Sequence, residues 1–366
     1  MSTGAPTPRD NPELYGHDVA VATLARALAS GRLAHGWLLT GPPGIGKMTL
    51  AFRFARALLA GPAAVDARLA MAPDHPVFRQ AAQGAHPDLR VLEVERDPRT
   101  GRMRSEITVD TVRAATASLH MTASAGGYRV AVIDGAETLN RNAANALLKT
   151  LEEPPPQSVL LLVSHRPGAL PATIRSRCAK LRLRPLDDAT VERALASLLP
   201  DRGVEERAAL TLLARGSIGR ALAMAEGGQL ALYQRLAGGL AAAAGDPGAM
   251  DELSSELARL AERGGTAGAL SLIQELLGRV IAAGVGRLGS GVFAEEAETL
   301  RRLAASRPLD RWAGLWEKVA HLAAATDGLN LDRSHAFMHM LTLLAPGSDR
   351  AEGAHCGAFG ADHVRG

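Results

Sequence analysis

The segment Gly41-Pro42-Pro43-Gly44-Ile45-Gly46-Lys47-Met48-Thr49 constrains the fold of this chain more than any other part of the sequence. It follows an apolar strand pattern at 37–40 and precedes a helical pattern at 49–59, which is the setting that a phosphate-binding loop needs. Glycines let backbone N–H groups curl around phosphate oxygens, and a lysine neutralises the terminal phosphates. The sequence therefore predicts a nucleotide site that includes Gly41, Gly44, Gly46, Lys47 and Thr49.

Short apolar segments alternate with helical patterns from about residue 18 to residue 185. Predicted strands lie at 37–40, 89–92, 128–134, 158–164 and 180–183. Buried strands separated by helices are typical of a parallel sheet covered on both faces. Beyond Pro185 only helical patterns occur. The predicted fold class is α/β, with a nucleotide-binding domain at 1–185, a helical lid at 186–240, an all-helical domain at 241–345 and a disordered tail at 346–366.

Composition excludes several classes of protein. With 47% hydrophobic residues the chain has enough apolar side chains for a globular core. Its two cysteines, Cys178 and Cys356, are too few for a disulfide framework. The start of the chain lacks the apolar stretch of a signal peptide, and no segment approaches the ~20 apolar residues of a membrane span. The sequence therefore predicts a soluble, cytoplasmic protein without a membrane partner.

The residue after the loop lysine departs from the usual pattern. Ser or Thr normally stands there, because its hydroxyl binds Mg²⁺. This chain has Met48, and a thioether is a poor ligand for a hard cation. Thr49 is one residue further on, a rotation of about 100° on a helix. The sequence predicts a site that holds nucleotide weakly or not at all.

A second motif, Arg129-Val130-Ala131-Val132-Ile133-Asp134-Gly135-Ala136-Glu137, is an apolar strand that ends in an acid. Asp134 is predicted to hold Mg²⁺ through water. An active ATPase has a water-activating glutamate directly after this aspartate, but here that position is Gly135. Both altered positions serve hydrolysis rather than phosphate binding, so the sequence predicts that this site does not hydrolyse ATP.

A third stretch, residues 140–156, contains Asn-Ala-Leu-Leu-Lys-Thr-Leu-Glu-Glu-Pro-Pro and precedes Thr173-Ile174-Arg175-Ser176-Arg177-Cys178. Together these motifs resemble the bacterial DNA polymerase III clamp-loader subunits of the AAA+ family. His86–Leu89 and Leu14–His17 are also similar to that family. The resemblance covers roughly the first 230 residues, and the altered positions 48 and 135 make the chain more similar to the delta-prime type than to the gamma/tau type.

The resemblance implies a role for several residues. Arg177 matches the arginine finger that reaches the ATP of an adjacent subunit, and a planar guanidinium suits developing phosphate charge. Ser164 and Arg220 match two sensor positions. The resemblance also implies an AAA+ module with a helical lid and a collar domain. It further implies a hetero-pentamer with gamma/tau and delta subunits, ATP and Mg²⁺ at the neighbouring subunit, a sliding clamp, and primed DNA.

The sequence carries one further expectation, about zinc, and leaves two alternative functions open. No cysteine occurs in 60–85, where many family members carry a four-cysteine zinc module, so the sequence predicts no zinc. One alternative is an active AAA+ ATPase of gamma/tau type that uses Thr49 for metal and Glu137 as base. Another is a DNA-binding scaffold with a relic phosphate loop, in which Arg177 has no role in a neighbour's site.

Overall fold

A computed structural model describes residues 5–96, 101, 104–124, 127–242, 247–264, 266–329 and 333–345. The predicted disordered tail at 346–366 lies outside this part of the chain. The described residues form two compact units. The N-terminal unit comprises the residues up to 201 together with 214–222, and the C-terminal unit comprises 202–213 and the residues from 223 onward. The division into three domains stays a prediction.

Five parallel strands form the sheet of the N-terminal unit in the order β2-β3-β4-β1-β5. They are β1 (Gly36–Thr40), β2 (Leu89–Leu92), β3 (Arg129–Ile133), β4 (Ser158–Ser164) and β5 (Ala179–Arg182). All five predicted strands are found, and the predicted α/β fold class is confirmed. The helices of this unit are α1 (Asp18–Ser30), α2 (Lys47–Ala60), α3 (Pro76–Ala82), α4 (Val109–Leu119), α5 (Arg141–Glu152), α6 (Ala172–Arg177) and α7 (Asp188–Leu198).

The sheet separates two hydrophobic cores, because successive side chains of a strand point to opposite faces. Leu39, Val132 and Leu161 belong to the core that contains α2. Leu38, Ile133 and Leu162 belong to the core that contains α4 and α5. Strands buried on both faces are continuously apolar, as β4 is. Since all the strands are parallel, their carboxyl ends meet at one edge, and the predicted phosphate loop and Asp134 follow strands at that edge.

The remaining helices are α8 (Val204–Ala214), α9 (Ile218–Glu226), α10 (Gln229–Ala242), α11 (Pro247–Gly264), α12 (Thr266–Gly284), α13 (Glu296–Ala305), α14 (Leu309–Leu329) and α15 (Arg333–Leu344). The two units divide within α8 and α9. In the C-terminal unit α11 packs against α12 and α15, and α12 also packs against α13 and α14. Its largest buried side chains are Trp312, Tyr233 and Phe337. Among the residues that the structure describes, no helix is long and apolar enough to span a bilayer.

Candidate functional site: a phosphate loop and a surface arginine

The predicted phosphate loop joins β1 to α2. Gly44 and Gly46 have φ of 73° and 101°, left-handed values that glycine adopts without strain. Gly46 is the N-cap of α2, so the positive end of the helix dipole lies at the loop. Lys47 is buried, and its ammonium donates to the carbonyl oxygens of Gly41 (2.7 Å) and Pro42 (2.5 Å). The loop thus combines backbone donors with one cation, as phosphate binding requires.

A cleft of about 290 Å³ opens beside this loop. Its lining includes residues 44–49, Asp134 and His165, together with apolar side chains from Leu198, Ile218 and Leu222. Of the predicted nucleotide residues, Gly44, Gly46, Lys47, Thr49 and Asp134 line the cleft. Met48 lines it too, so both residues 48 and 49 face the cleft.

The carboxyl ends of β3 and β4 bring two acids close to Lys47. Burial raises the pKa of Asp134, and the positive field of His165 and Lys47 opposes that rise. The Glu137 carboxylate accepts from the backbone N–H of His165 at 3.1 and 3.3 Å. Burial alone would raise the pKa of Glu137, but its own backbone, the nearby Ser164 hydroxyl and the hydrogen bond from the His165 N–H outweigh burial and lower it. Glu137 is thus an ionised group near the cleft.

Gly135 occupies the position where a hydrolysing relative has its water-activating glutamate. Its φ is 63° and its ψ is 51°, so the chain turns in the left-handed conformation directly after Asp134. Residues other than glycine adopt this conformation only at a cost of about 1 kcal/mol or more. The turn leads into a short 3₁₀ helix, Ala136–Thr138, which carries Glu137. The backbone here is therefore shaped for glycine, and the next carboxylate along the chain is that of Glu137.

The segment 214–222 closes one side of the phosphate loop. The Gly219 N–H donates to the carbonyl oxygen of Gly44 at 2.9 Å, and the Ser217 hydroxyl donates to the carbonyl oxygen of Pro43 at 2.9 Å. A Cβ added at Gly219 would lie 2.9 Å from the Gly44 Cα, so only glycine permits this approach. Arg220 follows, with its backbone N–H bonded to the Ser217 hydroxyl. The predicted second sensor therefore lies on the segment that contacts the loop.

The N-terminal wall of the cleft was not predicted. Pro6, Pro8, Asn11 and residues 13–15 line it. Arg56, a buried residue of α2, anchors this segment by donating to the carbonyl oxygens of Arg9 (2.9 Å) and Asn11 (3.2 Å). Its guanidinium lies 4.3 Å from the centre of the Phe78 ring, a cation–π contact. The sequence signals for this wall were an arginine inside the apolar pattern of α2 and the family similarity of Leu14–His17.

The other two predicted site residues lie in different settings. Ser164 is fully buried at the end of β4, in register with Thr40 of β1. Arg177 is the last residue of α6 and lies on the surface. One of its terminal nitrogens is 2.7 Å from a carboxylate oxygen of Glu152, and the other donates to the carbonyl oxygen of Thr173 at 3.1 Å. Arg177 is thus exposed rather than turned into the interior.

Any phosphate that Lys47 binds is expected to bind with an affinity that depends on pH. Burial lowers the pKa of Lys47 to about 8, although the carboxylates of Asp134 and Glu137 partly oppose this. Above pH 8 the free site must first take up a proton, so affinity for a nucleoside triphosphate without metal is expected to fall as pH rises. Well above pH 8 the affinity should fall by at most about tenfold for each pH unit. Competition binding from pH 7 to 9.5 measures this, and Lys47→Arg, which keeps its charge, should give a flatter profile. Equal slopes for the two proteins would contradict the prediction.

These features define an α/β domain of the P-loop class: a parallel sheet, a lysine-bearing loop after β1 and an acid at the end of β3. Residues 16–187 match the family model described as DNA polymerase III, delta subunit. This part of the chain is similar to that family.

Relatives with known names show the same similarity. The chain is 42% identical over 186 residues to the DNA polymerase III subunit delta' of Pseudomonas aeruginosa, covering 50% of this chain and 53% of that protein. It is 34% identical over 207 residues to the Escherichia coli delta' subunit, covering 56% and 58%. It is 32% identical over 213 residues to the E. coli tau subunit, covering 58% and 31%. The chain thus matches about half of the length of its delta' relatives.

Solved structures show more distant similarity. A DNA polymerase III gamma subunit-related protein from Thermotoga maritima aligns with a TM-score of 0.41 and 17% identity, over 90% of this chain and 99% of that one. The RuvB Holliday junction branch migration motor of the same organism aligns with a TM-score of 0.42 and 16% identity, over 92% and 91%.

Proposed function

We propose that this chain is a clamp-loader subunit of the delta-prime type, which helps to load the sliding clamp onto primed DNA. The observation that carries the proposal is the exposure of Arg177 at the end of α6. Among the residues that the structure describes, those lining the chain's own cleft do not include Arg177. A guanidinium on the surface can enter the site of a neighbouring subunit once it leaves Glu152, as the family resemblance implies.

The proposed partners are gamma/tau and delta subunits in a hetero-pentamer, with the sliding clamp and primed DNA. The similarity to named delta' and tau proteins supports the gamma/tau partnership. In this arrangement Arg177 binds the terminal phosphate of ATP held by the adjacent subunit. Its fixed charge and two parallel N–H donors match the charge that develops as the phosphoryl group is transferred.

The chain's own cleft has a different proposed role. Gly44, Gly46 and Lys47 fit the phosphates of a nucleotide, while Met48 and Gly135 lack the oxygens that position metal and water. Bound Mg-ATP would supply a charged triphosphate, which the N–H groups of the loop and Lys47 would hold. We propose weak or no nucleotide binding and no hydrolysis there, without zinc. The contacts of Gly219 and Ser217 with the loop then serve to stabilise the N-terminal unit.

ATP turnover by the chain alone and in mixture tests this proposal. The purified chain is expected to hydrolyse no more ATP than its Lys47→Ala variant. Mixed with the gamma/tau subunit of the same organism, it is expected to raise turnover well above the sum of the two proteins. Lys47→Ala should leave this stimulation largely intact, because the hydrolysing site belongs to the partner. Steady turnover by the chain alone that Lys47→Ala abolishes would overturn the proposal.

An active ATPase is the second candidate, and the placement of Glu137 favours it. The Glu137 carboxylate is ionised and influences both Lys47 and His165 electrostatically, so a base is present near the cleft. Thr49 also lines the cleft. If the chain alone turns over ATP, Glu137→Gln should abolish it while leaving nucleotide binding unchanged. Activity that survives Glu137→Gln would exclude this candidate base.

A further inference from the structure

The β5 edge of the sheet carries a row of cationic side chains that do not belong to the phosphate-loop cleft or to the proposed role of Arg177. Among the residues that the structure describes, β5 pairs with β1 alone, and the ladder continues through the Leu183 N–H to the carbonyl oxygen of Thr40. Leu181 and Leu183 are buried. Lys180, Arg182 and Arg184 alternate with them and are exposed. They therefore project from one face of the strand, about 6.6 Å apart. We call these three residues the basic strip.

A groove beside β5 extends this positive surface. It is lined by Arg182, Arg184, Arg68 and Arg193, among other residues, and has a volume of about 930 Å³. Two acids also line it, but both have partners. Asp18 forms an ion pair with Arg68.

The second acid, Asp187, accepts from the Thr190 N–H at 2.7 Å as the N-cap of α7, and this hydrogen bond lowers its pKa. Within the described part of the chain, none of the three strip residues forms a salt bridge. The positive charge of the strip is therefore not neutralised by the protein itself.

We infer that the basic strip and the adjoining groove bind the phosphodiester backbone of nucleic acid. Evenly spaced cations on an extended strand match a repeating row of phosphates, and arginine forks bind phosphate oxygens in pairs. No base-reading element is required, so binding is independent of sequence and dominated by counterion release. The inference does not depend on Arg177 or on ATP.

Salt-dependent binding of labelled oligonucleotides to the full-length chain tests this inference. Single-stranded, duplex and primed-junction DNA are titrated without nucleotide over a range of salt concentrations. In the triple variant Lys180→Gln, Arg182→Gln, Arg184→Gln, the slope of log K against log salt is expected to fall by about 2–3. Affinity at low salt is expected to fall at least tenfold. Comparison of the three DNAs shows which form supplies the phosphates.

A matched control removes three other exposed arginines of the same unit, Arg26, Arg32 and Arg79. This control is expected to keep the wild-type slope, and thermal melts establish that both variants are folded. Equal losses in strip and control variants would overturn the inference, since they would reflect net charge alone. Absence of binding by the wild-type chain at low salt would overturn it too.

A third result would also count against the inference. If the strip variant keeps its DNA affinity but associates with itself, the cations serve only to block edge-to-edge strand pairing. Because these measurements use the chain alone, they remain informative if the clamp-loader proposal fails. That proposal is tested by partner ATPase, which is a separate readout.

Discussion

Replacement of Arg177 by alanine is expected to lower DNA-stimulated ATP turnover of the reconstituted complex with gamma/tau, at the site that this chain completes, by about 10³-fold. The expected loss is large because a guanidinium supplied by a neighbour stabilises charge that appears only in the transition state. Turnover should fall without a comparable change in the affinity of that site for ATP. Total turnover of the complex falls less if its other sites act independently.

The ion pair of Arg177 is exposed, so its loss should change the stability of the variant little. Glu152 and Thr173 hold the guanidinium at the surface, and the two side chains of the ion pair are 36% and 49% exposed. A pair this exposed stabilises a fold by only about 0–1 kcal/mol. The variant should therefore fold normally, and Glu152 should release Arg177 to a phosphate at little cost.

Two matched variants sharpen the interpretation. Arg177→Lys keeps the charge but loses the planar pair of donors, so its turnover should lie between those of wild type and Arg177→Ala. Arg26→Ala removes an exposed arginine from α1 and should change nothing. Turnover of an assembled Arg177→Ala complex within twofold of wild type would exclude the trans role and favour the scaffold alternative.

The sequence predicted the parallel sheet and the loop because their signals are local. Five apolar segments, each short and followed by a helical pattern, correspond to β1–β5. The spacing of the glycines before Lys47 is typical of a phosphate-binding loop and of few other structures. Asp134 follows a strand end, so its place at the carboxyl edge of the sheet follows from parallel topology.

Other parts of the site depend on contacts that are distant in sequence. The wall at residues 6–15 is fixed by Arg56, and the approach of Gly219 to Gly44 joins segments 175 residues apart. Neither contact leaves a periodic pattern. The position of Glu137 also follows from a backbone turn at Gly135 that its sequence neighbours do not specify. Such features become visible only when the chain is folded.

The glycine-rich stretch near residue 238 is another place where the local sequence pattern does not predict the structure. Gly238 and Gly239 weaken the helical pattern there, because glycine lowers helix propensity by about 1 kcal/mol relative to alanine. In the structure α10 continues to Ala242. A Cβ added at Gly239 would lie 2.8 Å from a methyl group of Leu253, so glycine allows α10 and α11 to pack closely. Tertiary packing here outweighs local propensity.

Glu296→Ala is expected to destabilise the C-terminal unit by about 3–5 kcal/mol. Glu296 is fully buried at the first turn of α13. It accepts hydrogen bonds from the Tyr233 hydroxyl (2.6 Å) and from two nitrogens of Arg279 (2.8 Å each), and also from the Val292 N–H. Removal of the carboxylate leaves the Arg279 charge without its partner in a setting where that side chain is only 11% exposed.

Thermal unfolding followed by circular dichroism measures this loss, and the transition of the C-terminal unit should move down by roughly 10 °C. Glu298→Ala is the matched control, since Glu298 and Arg301 form an exposed pair on the same helix at 3.7 Å. Its effect should stay within about 0.5 kcal/mol. Tyr233→Phe removes one hydrogen bond to a charged acceptor and should cost about 1.5–3 kcal/mol.

A double-mutant cycle with Arg279→Ala separates the ion pair from simple loss of packing. If the cost of Glu296→Ala arises from the orphaned guanidinium, the double variant should be less destabilised than the sum of the two single variants, by about 1 kcal/mol or more. Strict additivity would mean that the two charges do not stabilise each other. The buried network would then contribute through the Tyr233 and Val292 hydrogen bonds alone.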